Sequence, residues 1–240
     1  MLIFFMKIYA ISDLHLSFAV NKPMDIFGEI WEDYLTKIAT DWNVKVRDED
    51  IVLIAGDISW AMRTKEVLPD LDFISKLSGK KVMIRGNHDY WWTTISAVRR
   101  ILPKNIYAIQ NDALKFGNYI FCGTRGWTVP EKTGVFETEH DHKIFNSEVV
   151  RLELTLSAAK KLQKNNEKII CMIHFPPMNS KKEPSEFTNL IEKYGVSKVV
   201  YGHLHKNKKS FSSPLYYIQN GVEYYLTSCD MLNFELVSIV

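Results

Sequence analysis

The chain has only three cysteines, Cys122, Cys171 and Cys229, odd in number and far apart. No CxxC pair occurs, so neither a thiolate zinc site nor a disulfide framework is supported. Each cysteine sits in or beside an apolar run, as a small buried hydrophobe does, and a reducing, cytoplasmic setting is the expectation. Excess charge of one sign is also missing: 30 basic against 28 acidic residues leave a net charge of +2. That surplus is too small to argue for a nucleic-acid or membrane partner. Local lysine clusters, Lys160-Lys161, Lys181-Lys182 and Lys206 to Lys209, read as solvated faces and loop tips. No stretch reaches the roughly 20 apolar residues of a membrane helix. The opening MLIFFMKIYAIS is interrupted by Lys7, with no basic region before it and no small-residue cleavage site. It therefore reads as a strand rather than a secretory signal, and Met6 offers an alternative start. Linkers, repeats and low-complexity segments are absent too, so residues 1–240 are read as a single domain.

What is present suits a soluble globular protein. The 240 residues are 46% hydrophobic and 24% charged, enough to bury a substantial core. Short apolar runs recur at Ile8 to Ile11, Ile51 to Ala55, Lys81 to Ile84, Tyr119 to Cys122, Ile169 to Ile173, Val199 to Tyr201, Tyr224 to Thr227 and Phe234 to Val240. Rich in Ile, Val, Tyr and Phe and bounded by Gly, Asp or Asn, they predict buried strands. Between them lie helical patterns. In Asp25 to Val44, Phe27, Ile30, Trp31, Tyr34, Leu35, Ile38 and Trp42 recur at three- and four-residue intervals, which predicts one amphipathic helix. Further helices are expected at Glu66 to Leu77, Trp91 to Leu102, Ile144 to Leu162 and Glu186 to Tyr194, the last ended by Gly195. The alternation implies α/β layering with parallel pairing. Near the C-terminus Asn220-Gly221 signals a hairpin.

The strand ends share a chemistry. Ile11 leads into Ser12-Asp13-Leu14-His15, Ala55 into Gly56-Asp57, and Ile84 into Arg85-Gly86-Asn87-His88-Asp89. Ile173 is followed by His174, and Tyr201 by Gly202-His203-Leu204-His205. Ligands of α/β sheets bind at the carboxyl ends of strands. The donors offered are imidazole, carboxylate and amide oxygen, a set that suits Mn, Fe or Zn. Seven such donors exceed the needs of one tetrahedral ion and suit two ions bridged by a carboxylate. Each fragment alone is common, but five strand ends with one donor chemistry are not a coincidence of loops.

In order along the chain, Asp13-x-His15, Gly56-Asp57, Gly86-Asn87-His88-Asp89, His174 and Gly202-His203-x-His205 resemble the motif set of the calcineurin-like metallophosphoesterases. The resemblance implies two mixed β-sheets packed as a sandwich flanked by helices, a four-layer α/β/β/α fold. It also implies hydrolysis of a small phosphorylated substrate at a dinuclear metal centre, with a bridging hydroxide as nucleophile. By position, one ion would take Asp13, His15, Asp57 and His205. The second would take Asp57, Asn87, His174 and His203. His88 would be the catalytic histidine facing the leaving group. The family's protein serine/threonine phosphatases follow Gly-Asp with an Asp-Arg pair, which is missing from Gly56 to Arg63, so a protein phosphatase is disfavoured. Monoesters and diesters, cyclic nucleotides included, stay open. The alternative of another class is a non-catalytic scaffold that keeps the fold to bind partners, as a retromer coat subunit does. A complete ligand set together with His88 favours the enzyme.

Other features have competing readings. Asp89 either orients His88 or caps the following helix, and the cap is expected. Arg125, in Cys122-Gly123-Thr124-Arg125-Gly126-Trp127, either pairs with a substrate phosphate or is a surface arginine in a Gly-rich turn. Glu139-His140-Asp141-His142 reads as a solvated loop or helix start, with Asp141 as the cap, rather than as metal ligands. Trp91-Trp92 is assigned to the core. The loop Gly126 to Asp141 is long enough to cover the site as a lid. Substrate, native metal and oligomeric state leave no motif to read.

Overall fold

A computed structural model describes residues 6–132, 134–206 and 215–240. Among these residues, eleven strands form two sheets. The first holds β1 (Ile8–Ile11), β2 (Ile51–Ile54), β3 (Lys80–Met83), β4 (Ile106–Ala108) and β11 (Val237–Ser238), in the order β11-β1-β2-β3-β4. β1 to β4 run parallel and β11 is antiparallel to β1. The second holds β5 (Ala113–Phe116), β6 (Tyr119–Thr124), β7 (Lys168–Ile173), β8 (Lys198–Tyr201), β9 (Tyr216–Gln219) and β10 (Val222–Leu226), in the order β5-β6-β7-β8-β10-β9. Its four central strands are parallel and its two edges antiparallel.

The period of two along each strand explains why these runs are apolar on both faces. In β1, Ile8 and Ala10 face the other sheet while Tyr9 and Ile11 face helices; in β7, Ile170 and Met172 face inward while Ile169, Cys171 and Ile173 face out. The layer between the sheets joins Ile51, Leu53 and Val82 of the first sheet to Phe121, Ile170, Met172 and Val200 of the second. The outer face of the first sheet is covered by α1 (Tyr34–Lys45), α2 (Leu68–Lys76) and α3 (Ile95–Ile101), and that of the second by α4 (Glu139–Leu162) and α5 (Glu186–Lys193). The result is the four-layer sandwich. Burying one such aliphatic or aromatic side chain contributes roughly 1.5–3 kcal/mol.

Several local expectations need correction. The predicted helix over Asp25 to Val44 is broken into two 3-10 turns, Met24–Phe27 and Glu29–Trp31, before α1 starts at Tyr34. Gly28 at φ 132° and Asp33 at φ 52° interrupt it, and Phe27 and Ile30 point to solvent instead of the core. The last strand shrinks to Val237–Ser238 because Asn233 and Phe234 take left-handed backbone. β4, β5 and β9 had no strong run to announce them: the first is three residues long, the other two half-exposed edges. The β9–β10 hairpin does turn at Asn220-Gly221, both at positive φ, as a type I′ turn needs. α4 starts at Glu139, five residues earlier than its apolar pattern. Thr138 caps it by accepting from the Asp141 N–H, so Asp141 is not the cap. Trp91 and Trp92 are buried, as are all three cysteines. Among the described residues no helix is long and apolar enough to cross a membrane. Three residues of the Lys206 to Lys209 cluster lie outside the described residues.

Candidate metal centre and active site

The loops that follow β1, β2 and β3 bring Asp13, His15, Asp57, Asn87 and His88 to one edge; those after β7 and β8 bring His174, His203 and His205 to the same place. Main-chain ties hold the loops together. The Asp13 N–H donates to Gly56 O at 3.0 Å, the His15 N–H to Asp57 O at 3.0 Å, and the Gly202 N–H to His174 O at 3.0 Å. Four of these side chains sit on left-handed backbone: Asp13 at φ 58°, His15 at 47°, Asp57 at 50° and His203 at 69°. Such strain costs on the order of 1 kcal/mol or more per residue and clusters at functional sites.

Two glycines are required by the close approach. A Cβ on Gly86 would run into Asp57 Oδ1 and the Asp57 nitrogen, well inside contact distance. On Gly202 it would run into both Asp13 Oδ2 and Ser12 Oγ. Only a residue without a side chain lets these turns pack against the two carboxylates.

Distances within the cluster fall between hydrogen-bond and van der Waals spacing. His15 Nε2 lies 3.5 Å from His205 Nε2 and 3.8 Å from Asp57 Oδ2. His205 Nε2 is 3.6 Å from Asp13 Oδ1, and His174 Nε2 is 3.5 Å from Asp57 Oδ2. Asn87 Oδ1 is 2.8 Å from His174 Nε2 and 3.0 Å from His203 Nδ1. Donors about 2.1 Å from a shared cation stand roughly 3–3.5 Å from one another, so this spacing suits ligands around common ions. Two groups of potential ligand atoms stand within 4.8 Å of one another: Asp13, His15 and His205, and Asp13, Asp57 and His174. The donors thus fit a metal, in nature and in placement.

Electrostatics agree with the donor role. Burial holds His15 and His203 down at about 3, so both rings present lone pairs at neutral pH. Burial opposes charge on His174 as well, but the Asp57 carboxylate outweighs it and raises that ring to about 9. Asp57 in turn is held well below the usual carboxylate range, against its own burial, by His174 and His15. A cation here would take over the proton's part beside Asp57. Two rings are oriented from behind: His174 Nδ1–H donates to Ala55 O at 2.9 Å and His205 Nδ1–H to Asp230 Oδ1 at 3.1 Å. That leaves each Nε2 free to ligate. His15 Nδ1 is buried without a partner among the described residues; its ring is held by stacking on Trp60, 4.5 Å between centroids and 19° between planes.

His88 stands beside the donors rather than among them. Its backbone N–H donates to Asp57 Oδ1 at 2.8 Å, and its ring packs 4.5 Å from Trp60 and 5.7 Å from His15. No hydrogen bond engages the ring among the described residues. Burial lowers its basicity, and the Lys22 ammonium, 3.1 Å over the Trp60 ring, adds to that effect after the opposing pull of Asp57.

Asp89 is not a helix cap. Its Oδ1 accepts from Ile58 N–H (2.9 Å), Ser59 N–H (3.1 Å) and Trp91 Nε1–H (3.0 Å), and its Oδ2 from Gly86 N–H (2.8 Å). The helix starts later, at Ile95, under Thr94. Asp89 thereby fastens the loop carrying Asp57 to the loop carrying Asn87. Arg125 does not reach the donor cluster: its guanidinium lies 3.2 Å from Glu148 and over the Trp127 ring. Its carbonyl, however, accepts from the N–H groups of His174 and Phe175. Glu139 to His142 form the first turn of α4, with Glu139 paired to Lys143 and His142 stacked on Phe136. The segment after Gly126 lies against the 175–185 loop: Trp127 packs on Phe175, which packs on His203, and Ser180 bonds Glu131.

Sequence reasoning passed over Asp230, Trp60 and Lys22. Asp230 follows β10, itself a parallel strand, so the strand-end pattern that flagged the others applied to Thr227-Ser228-Cys229-Asp230 too. An isolated parallel bridge between Ser12 and Ser228 carries that segment to the site. Nothing in the pattern marks Trp60 or Lys22.

A buried carboxylate–imidazole–amide cluster on the carboxyl edge of a two-sheet α/β sandwich has the donor chemistry of a metal site. The family profile for calcineurin-like phosphoesterase matches residues 6–207, and the chain belongs to that family. An uncharacterized protein of Methanocaldococcus jannaschii is 39% identical over 88 residues, covering 35% of this chain and 47% of that protein. The acyl-carrier-protein phosphodiesterase PptH of Mycobacterium tuberculosis is 31% identical over 86 residues, 36% of this chain and 21% of PptH. These matches thus span less than half the length of either curated relative. In fold, the solved PptH structure aligns with 98% of this chain and 95% of its own, at TM-score 0.56 and 14% identity. A structure from Thermus thermophilus aligns with 97% of both chains at TM-score 0.60 and 12% identity.

Proposed function

We propose that the chain hydrolyses phosphate esters with two divalent ions, of the manganese, iron or zinc class, shared through Asp57. The observation that supports this reading is the convergence of Asp13, Asp57, Asn87 and four imidazoles at ligand-like spacing on one buried edge. One ion would be held by Asp13, His15, Asp57 and His205, the other by Asp57, Asn87, His174 and His203. When bound, the ions supply a water acidified toward neutral pH and positive charge for the phosphate oxygens. The chain supplies the rest. Asp57 fixes the His88 main chain, and the His88 ring hydrogen-bonds or protonates the leaving oxygen as the P–O ester bond breaks. Trp60 holds both His15 and His88 in place.

A small phosphorylated molecule is the substrate class. Diester cleavage, cyclic nucleotides among the candidates, is the second reading, favoured by the stretch shared with a phosphodiesterase. The test is an assay of manganese-loaded protein on p-nitrophenyl phosphate and bis-p-nitrophenyl phosphate. Activity on the first supports a monoesterase, and activity on the second alone supports the diester reading. His88→Ala should lower kcat by about 10²–10⁴-fold with metal content unchanged. Cleavage of neither compound would favour a non-catalytic scaffold.

A further inference from the structure

Beside the candidate metal centre, a partly enclosed pocket at the ends of β3 and β6 is lined by Arg85, Arg125, Arg151, Glu148, Thr124 and Gln110. The buried Glu148 carboxylate answers two of its three guanidinium groups: Arg125 Nη2 at 3.2 Å and Arg151 Nη1 at 2.9 Å. It also accepts from Thr124 Oγ1 at 2.6 Å and from the Gly126 N–H at 3.2 Å, so its acceptor capacity is fully used. Arg85 is left over. No hydrogen bond or ion pair engages its guanidinium among the described residues, and its Nε, like that of Arg125, is shut off from solvent without a partner. Three positive charges against one negative leave the pocket at +2. Guanidinium N–H groups withdrawn from water without an acceptor are costly, and their fork geometry matches a phosphoryl group.

We propose that this pocket is a phosphoryl-group binding site separate from the metal centre, with Arg85 as its unpaired anchor and Arg151 as its rim. Its position suits a second phosphoryl group of the substrate or free phosphate. Arg85 is two residues from Asn87, and the Arg125 carbonyl accepts the His174 N–H. The first of these sources rests on the phosphoesterase reading; the site itself does not.

The experiment is calorimetric titration of inorganic phosphate into the manganese-loaded full chain, repeated for Arg85→Gln and Arg151→Gln, with folding checked by circular dichroism. Wild type should bind at a second class of sites besides the metal centre, and each variant should weaken that class at least about tenfold. Arg151 is half-exposed, so its variant reads the pocket even where Arg85→Gln fails to fold. A second arm compares a sugar bisphosphate with the matching monophosphate. A KM raised about tenfold in Arg85→Gln for the bisphosphate alone identifies a substrate subsite. An unchanged KM with weakened phosphate binding identifies free phosphate as the ligand. Phosphate binding by both variants equal to that of wild type overturns the proposal. Loss of all hydrolysis in wild type would sink the phosphoesterase reading while the titration still reports on the pocket.

Discussion

The two ends of the parallel strands treat buried polar groups in opposite ways. At the amino ends each finds matched partners, main-chain groups for the most part. Asp50, just before β2, accepts from the N–H groups of Lys7 (2.8 Å) and Arg47 (2.9 Å). Glu167, just before β7, accepts from Lys164, Asn165 and the Lys115 ammonium. The ammonium of Lys81, in β3, donates to the Leu77 carbonyl. At the carboxyl ends the polar groups face one another instead. His15 meets His205 nitrogen to nitrogen, Asp57 lies between two rings, and both carboxylates sit on left-handed backbone. Buried groups with matched partners are structural, whereas buried donors directed at a common point without enough protons between them call for a ligand.

Metal occupancy tests the comparison most severely. Asp57→Ala should abolish activity and reduce bound manganese from about two ions per chain to fewer than one, because it would remove a ligand from both groups. His205→Ala should keep about one ion, since Asn87, His174 and His203 stay in place. Elemental analysis of the loaded variants decides, and equal losses in the two would refute the sharing of Asp57. Asp89 tests the comparison from the other side, as a carboxylate of the carboxyl edge satisfied in the manner of the amino edge. Its replacement by Asn turns an acceptor of main-chain N–H groups into a donor. The expected loss is about 2 kcal/mol, some 4–8 °C in Tm. A Tm unchanged in Asp89→Asn would show that the four hydrogen bonds are not what fastens the loops.

The comparison also explains what the sequence reveals of this molecule. Strands β1, β2, β3, β7 and β8 are buried on both faces, so their runs are continuous and their ends abrupt. The donor residues become visible because they interrupt apolar sequence. Asp89 and Arg125 show the limit. Both lie in the same motif-rich loops, yet their partners, Ile58, Ser59, Gly86 and Trp91 in one case and Glu148 in the other, are set by how loops from different strands meet. Glu148 comes from the interior of α4, 23 residues beyond Arg125, with no local signal of the pairing. The helix expected from Asp25 breaks for a related reason: Gly28 and Asp33 turn the chain so that Trp31 packs on Tyr34 and Phe234 while Phe27 and Ile30 face solvent.

A smaller effect is expected at Asp230, which among the described residues touches the candidate site through His205 and the Lys206 N–H. Asp230→Asn should weaken metal binding or activity about 10–100-fold, the usual cost of losing a carboxylate that orients a ligating histidine. The same change in pH profile for Asp230→Asn and for a distant control such as Asp72→Asn would argue against a positioning role.

The smallest effect belongs to the amino edge, where Lys81 is fully buried. Burial lowers its ammonium from the ordinary lysine range to about 8. The unfolded chain therefore holds more protons than the folded one between about pH 8 and 10.5, and stability should rise with pH across that window. Below it, the buried charge acts against folding in full. Lys81→Met should flatten the rise and add about 1–2 kcal/mol at pH 7, less whatever the Leu77 hydrogen bond returns. Urea titrations at pH 7 and pH 9.5 measure both quantities. A wild-type stability that falls between those two values, or a variant that keeps the full slope, would mean that Lys81 is not the group titrating. Metal content and activity should be untouched in the same variant, because the amino edge would then serve the fold and the carboxyl edge the chemistry.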